Sequence, residues 1–383
     1  MDLQPKEEIS SMSKLPTSLV SISEAAEGSP SSVQDRLLHA IAAIKRKSTK
    51  LTPSKITAKL RHRLQRPITL TQLVSNYTYD FLRFSKESAV DGRANTQTKL
   101  RALITMDYHR IEKGLSLKEP RVRFGPAVIE RLLSNLSKYQ ETYKLDETGL
   151  VALNALSAYC NFNREQGVND EQLQQALTAL RTTISNPECT SDRGGVIQVT
   201  RQQILEAAQL DLQSFFESRY SIRQFAPGEV EISLIEKAVV MAQKTPSVCN
   251  RQSSKVYVFS TDEDKQKVLS YQNGNRGFGD QASKVLIVTS DLQHFVSVGE
   301  RNQGWIDGGM FAMSLVYALH ALGLGTCCLN WSVERHADRA LREAAQISNS
   351  EAIIMMIAVG HIPDELKVAQ SPRKKIDEVL VVK

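Results

Sequence analysis

The chain has 383 residues, with 48 Lys and Arg against 42 Asp and Glu; 41% of it is hydrophobic and 23% charged. That mixture excludes a fibrous or wholly disordered chain, and the length leaves room for two domains with cores of their own. The five cysteines (Cys160, Cys189, Cys249, Cys327, Cys328) are odd in number and form no C-x-x-C, so neither a disulfide framework nor a metal site is expected, and reduced thiols in a cytoplasm are.

The opening residues, MDLQPKEEISSMSK, lack the apolar run of a secretory leader. Residues 1–35 are rich in Ser, Glu and Pro and read as a disordered tail. From Arg36 to Gln65 there is no Asp or Glu, so residues 36–66 read as a basic, partly helical, solvated arm. Its charge would suit an anionic membrane surface and a membrane-peripheral placement. No aromatic interleaves the basic residues, so base stacking and a nucleic-acid partner are not expected.

Residues 67–190 read as an all-α domain. TLTQLVSNYTYDFLRFS, QTKLRALITMDYHRIEKGL, PAVIERLLSNLSKYQETY, ETGLVALNALSAYCNF and DEQLQQALTALRTTI each repeat apolar residues at helical spacing. Pro126 and Asp170 mark helix starts; Gly114 and Gly167 mark helix ends. In the second segment His109 and Lys113 share a helix face and read as a solvated surface pair. The loop NPECTSDRGG, residues 186–195, is the expected boundary.

From residue 196 the pattern changes. One helix is predicted over TRQQILEAAQLDLQSFFES. Helices then alternate with short β-branched runs: SLIEKAVVMAQK before SKVYVFS, DEDKQKVLSYQ before SKVLIVTS, and ERHADRALREAAQ before EAIIMMIAVG. That alternation predicts an α+β or α/β domain over 196–383. Between Asp307 and Glu334 no charged residue occurs, a run long enough to cross a membrane. His320, Asn330 and the Gly323-x-Gly325 break favour a buried helix followed by a buried strand.

Four segments carry candidate chemistry. In RYSIRQF, Arg219, Ser221 and Arg223 alternate, so an extended backbone points all three to one side, a suitable grip for a phosphate. In PSVCNRQSS, Ser247, Asn250 and Gln252 offer the mixed donors and acceptors that a flavin's pyrimidine edge needs. GLGTCCLNW brings backbone close to a ligand through its glycines. It lacks the full dinucleotide fingerprint, as does GNRGFGD at 274–280, which reads as a mobile loop. Finally, SPRKKIDEVL supplies Arg373, Lys374 and Lys375.

Taken in this order, with Asp307 opening D-x-G and A-V-G-H-I-P preceding the last cluster, these segments resemble the nitroreductase family of FMN-dependent oxidoreductases. The resemblance runs from about Leu210 to Val382. It implies an α+β fold, a central mixed sheet flanked by helices, here preceded by the all-α domain. By resemblance, Arg219, Ser221 and Arg223 hold the ribityl phosphate of FMN, with Arg373 and Lys374 helping and Tyr220 supplying backbone. Ser247, Asn250 and Gln252 meet the ring and ribityl chain. Cys328, Leu329 and Asn330 pass the ring by backbone, and no catalytic side chain is assigned. The implied assembly is a homodimer with FMN at the interface. NAD(P)H is the implied hydride donor, and a small electron-poor molecule the acceptor.

Two departures stand out. Ser254 falls where the family often has an aromatic, and Trp331 where many members have a small residue, so both are read as substrate-pocket positions. A flavoenzyme of a dedicated substrate that does not use NAD(P)H directly, and a non-catalytic dimeric module, are the other readings.

Overall fold

The computed structural model describes residues 53–184 and 191–383, with side chains from Gln65 onward, Arg66 excepted. The chain divides into two units, residues 1–75 and 76–383. The disordered tail expected at 1–35 and most of the basic arm, residues 36–52, lie outside the described residues. What is described of the first unit is helical: α1 (Pro53–Glu87) begins there. The helix continues through Pro67, which lacks an amide to donate, and the Thr71 hydroxyl bonds the Pro67 carbonyl at 2.9 Å.

In the second unit, four helices follow: α2 (Gln97–Leu115), α3 (Pro126–Tyr143), α4 (Glu147–Glu165) and α5 (Glu171–Thr182). Local chemistry sets their starts. Pro126 occupies the first turn of α3, and the Asp146 and Asp170 carboxylates cap the first amides of α4 and α5. Leu100, Ile104, Leu132, Leu136, Leu153 and Leu156 are among the buried residues that make their common core. Gly114, expected to end a helix, lies inside the last turn of α2. Its lack of a side chain makes room for Phe124, whose ring a Cβ would meet at 2.2 Å. Polar ties cross this core: Arg131 grips the buried Asp107, and Arg101 and Tyr139 both bond Asp146.

The helix predicted over 200–218 is two short ones, α6 (Arg201–Ala207) and α7 (Leu212–Glu217). Asp211 separates them because its carboxylate caps the amide of Ser214 instead of lying along a helix.

A four-stranded sheet then forms from β1 (Ser254–Phe259), β2 (Lys284–Asp291), β3 (Leu324–Asn330) and β4 (Glu351–His361), in the order β1-β2-β4-β3. These strands pair antiparallel throughout. The parallel element of the mixed sheet is the isolated bridge Ser221–Thr326 at the β3 edge. Alternation along β2 sends Leu286 and Val288 to one face and Val285 and Ile287 to the other. The first face packs on α8 (Ile232–Ala242) and α10 (Gln303–Ala321); the second packs on α9 (Asp262–Leu269) and α11 (Arg335–Ala344). No helix among the described residues is long and apolar enough to cross a membrane, so the uncharged run is a helix and a strand.

The end of α1 and the connection to α2 are pinned onto this layer. Tyr79 donates to Asp338 at 2.8 Å, Arg83 to the carbonyls of Asn349 and Glu351, and the Ala89 amide to the Phe295 carbonyl. Phe84 packs with Leu292, Phe295, Ala352 and Val248. Asp338 also accepts from Trp331 Nε1 at 2.9 Å and from Arg342 at 2.9 Å. Burial pushes the Asp338 carboxyl up, but Arg342, Trp331 and Tyr79 together outweigh it and hold the group below the usual carboxylate range. Replacing Asp338 with Ala leaves Arg342 buried without its countercharge. A loss of roughly 3 kcal/mol is expected, read as a lower urea midpoint at unchanged slope.

Candidate functional site

The first candidate segment follows α7. Phe215 and Phe216 stack on Tyr317 of α10 at 5.7 and 4.5 Å, and Ser218 Oγ lies 3.0 Å from His320 Nε2. This fixes the point from which residues 219–226 run extended beside β3. The Ile222 amide donates to the Thr326 carbonyl at 2.8 Å, and the Ala226 amide to the His361 carbonyl at 2.9 Å. Ile222 and Phe225 are buried. Two glycines allow this approach: a Cβ at Gly325 would crowd Ile222, and one at Gly360 would come within 2.7 Å of Phe225.

With Ile222 turned inward, Ser221 and Arg223 stay toward the surface. Arg223 Nη1 lies 3.5 Å from the Ser221 carbonyl, and its guanidinium stands 6.0 Å from the Phe278 ring. Arg219 is near His320 and Cys328. Burial first, and Arg219 second, hold the His320 imidazole below its ordinary value. Among the described residues neither Arg219 nor Arg223 has a carboxylate within salt-bridge range. Tyr220 is exposed. In GNRGFGD, Phe278 is buried and the Asn275 side-chain amide donates to the Leu269 carbonyl at 2.9 Å.

The second segment is the turn between α8 and β1. Cys249, Asn250 and Gln252 all have left-handed backbones, with φ of 48°, 52° and 48°. Each costs about 1–2 kcal/mol relative to an ordinary conformation, so the surroundings must impose the shape. They do so at three points. The Val248 amide donates to Asp307 at 3.1 Å, and Asp307 is itself held by Gln303 at 2.8 Å. The Gln252 amide donates to Ser247 Oγ at 3.0 Å. Arg251, almost fully buried, donates to the Val248 and His294 carbonyls and to both oxygens of Glu300. The turn borders a depression of about 100 Å³ lined by residues that include Thr245, Ser247, Gln252, Ser254, Asp307 and Phe311. Thr245 Oγ1 is buried there without a hydrogen-bond partner.

The third segment is β3. Cys328 and Asn330 face outward, while the Leu329 side chain belongs to the core. Cys328 is open to solvent on one side, yet burial and the Cys327 thiol still push its own thiol up, with Arg219 opposing. It is therefore a neutral neighbour of the arginines.

Trp331, read as a substrate-pocket position, is buried in the single chain, packs in the core and donates to Asp338. Its indole needs a partner when buried, and Asp338 supplies one. Arg373 and Lys374 are exposed, and Arg373 bonds the Ser371 carbonyl of its own segment. Ser254, by contrast, lines the depression beside Ser247 and Gln252. Sequence reasoning missed Arg251 and Thr245 as parts of this turn, because nothing in sequence separates a buried arginine from a solvated one.

Residues 216–275 and 263–361 match the family model described as Nitroreductase family. Over this C-terminal region the chain is similar to that family. Its sheet with helices on both faces has the nitroreductase-like α+β fold. Solved structures similar to the chain include an FMN-dependent nitroreductase from Clostridium difficile R20291, 22% identical, covering 44% of this chain and 98% of its own, with a TM-score of 0.38. A nitroreductase family protein from Streptococcus pneumoniae TIGR4 is 19% identical, covering 45% of this chain and 100% of its own, with a TM-score of 0.40. No curated protein matches the chain.

Beside the turn at 247–252, His294 is buried with Nδ1 unpartnered. Burial pushes its imidazole down to about 4, against the pull of Asp291; Arg251 and Lys255 push the same way as burial. The folded form thus binds a proton less readily than the unfolded one. Stability from this group is full above the ordinary value near 6.5 and falls as pH drops toward 4. A melting temperature that declines over that window, with the decline shallower in His294→Gln, is the expected result of thermal scans in a pH series.

Proposed function

We propose that the chain is an FMN-dependent oxidoreductase that draws hydride from NAD(P)H and delivers electrons to a small electron-poor acceptor. The observation that carries this reading is the pair Arg219 and Arg223, two guanidiniums without carboxylate partners among the described residues, held beside Ser221 by the pairing of residues 221–226 with β3 and β4. Fixed cations with a hydroxyl between them suit a phosphate dianion. The fixed turn at 247–252 and the unpartnered Thr245 hydroxyl suit the polar edge of a flavin. When bound, FMN supplies the two-electron relay between nicotinamide and acceptor. The protein's part is to hold the phosphate with Arg219, Ser221 and Arg223, to orient the ring with Ser247, Asn250 and Gln252, and to offer the β3 backbone at Cys328–Asn330.

The sheet supports a two-chain site. Ser254, next to the turn, pairs with Ser290 and through it with Ala352, whereas Thr326, next to Ser221, pairs with Val359. The two places are three strand spacings apart across the sheet, about 14 Å, and seven residues apart along β4 (352 to 359), about 24 Å. An extended FMN is roughly 15–18 Å long at ordinary bond lengths, too short to reach from one to the other. The grip of one copy would then work with the turn of another. On α10, Ile306, Met310 and Met313 form an exposed stripe at helical spacing, with Trp305 beside it, a surface suited to a second copy. Arg373 and Lys374 would act in that assembly.

The purified protein should be yellow, absorbing near ~450 nm as flavins do, and should bleach anaerobically with NADH or NADPH. Replacing Arg219 and Arg223 together by Glu should strip the flavin during gel filtration while the fold persists by circular dichroism. Retained colour would sink the reading. Mixing supplies a second prediction. Colourless chains carrying Arg219→Glu and Arg223→Glu, co-expressed with chains carrying Asn250→Ala and Gln252→Ala, should recover up to about half the flavin per mixed dimer, one intact site of two. No recovery would place grip and turn in one chain.

A further inference from the structure

Helix α1 turns its polar side inward. In the second unit, Asn76 accepts from the Arg335 amide at 2.7 Å, Tyr79 donates to Asp338, and Arg83 donates to the Asn349 and Glu351 carbonyls. The side chains roughly opposite on the helix, at ~100° per residue, are Tyr77 and Phe81, which are 73% and 67% exposed. The same line runs back through Val74, Leu73 and Leu70, which are 58%, 49% and 63% exposed. A surface helix ordinarily buries its apolar stripe and shows its polar one. On α1 the order is reversed. Single exposed apolar residues are ordinary, but a contiguous row of them marks an interaction surface. Continuing the three- and four-residue spacing toward the start of α1, the sequence has Arg66, Arg63, Lys59 and Lys55 at the next positions. Between Arg36 and Tyr79 there are ten Lys and Arg and no Asp or Glu. Asp80, the first acidic residue, falls to the side of the line.

We infer that this face of α1 rests on an anionic lipid surface, its apolar residues entering the boundary between headgroups and acyl chains and the cations before them meeting the headgroups. Charge chooses this occupant. A second copy laid along the same line would bring like charges together or set cations on the apolar stretch. A bilayer with acidic lipids offers anions and hydrocarbon at adjoining depths instead. Tyr77 suits such a boundary, since its ring is apolar and its hydroxyl polar. Apolar insertion and a basic run act together in this attachment, where one signal alone holds a protein only weakly. The inference does not depend on the flavin reading: it concerns where the chain sits and not what it turns over.

The test sediments the full chain, after nuclease treatment, with vesicles of phosphatidylcholine alone and of phosphatidylcholine mixed with phosphatidylglycerol. The chain should pellet with the mixed vesicles and not with the neutral ones, and added salt should release it. Tyr77→Ser with Phe81→Ser leaves the charge as it is and removes two side chains that face solvent. It should weaken the binding by about tenfold or more, as the loss of buried apolar area implies, with circular dichroism and melting temperature unchanged. Changing Lys55, Lys59, Arg63 and Arg66 to Gln should abolish the preference for the anionic vesicles. A chain that pellets with neither vesicle or equally with both, or binding that the serine variant keeps in full, would overturn the inference. So would a dimer that the serine variant splits on a sizing column while vesicles go unbound, which would give the face to a second copy.

Discussion

The amide of Ile222 donating to the carbonyl of Thr326 determines where the polar chemistry of this chain can sit. Around that bond the segment 219–226 lies along the open edge of β3 instead of crossing the surface freely. The alternation of an extended backbone then does the rest: Ile222 goes into the core and Ser221 and Arg223 stay out. Two small residues, Gly325 and Gly360, are what let Ile222 and Phe225 come so close. The cationic edge is thus a by-product of how the sheet is closed, and a lesion in the packing would scatter it as surely as loss of an arginine.

At the opposite edge of the sheet a different strategy holds. The turn at 247–252 is unfavourable in isolation, and it persists because Asp307, Ser247 and Arg251 each satisfy one of its groups. Arg251 is the strongest of these ties, since a guanidinium nearly out of solvent is matched by both oxygens of Glu300 and by carbonyls. The helical half leans on this same turn through α2. Its attachment combines the dispersed polar bonds of Tyr79, Arg83, Ala89 and Thr96 with the small apolar cluster that Phe84 joins at Phe295.

Much of this was legible in the sequence. Periodicity placed the helices over 97–182 and the four strands closely, because each buries one continuous face. Capping residues such as Asp170 located helix starts. The single helix read at 200–218 failed at Asp211, where a local cap competes with helix propagation. The partner of Trp331 was not legible for a related reason: sequence shows an indole at the end of a strand, but only the fold shows Asp338 accepting its N–H. The arginines of the R-x-S-x-R stretch were visible as a pattern, while the distance from them to the Asn250 turn depends on strand order, which no local motif encodes.

The left-handed backbones at Cys249, Asn250 and Gln252 carry a consequence of their own. A β-branched side chain at any of the three would clash with its own carbonyl, so the tolerated alphabet there shrinks toward Gly, Asn and Asp. Because the contour is enforced from inside by Asp307 and Arg251, a ligand placed here would meet a shape already set, as a key meets a cut lock, and little ordering entropy would be lost on contact.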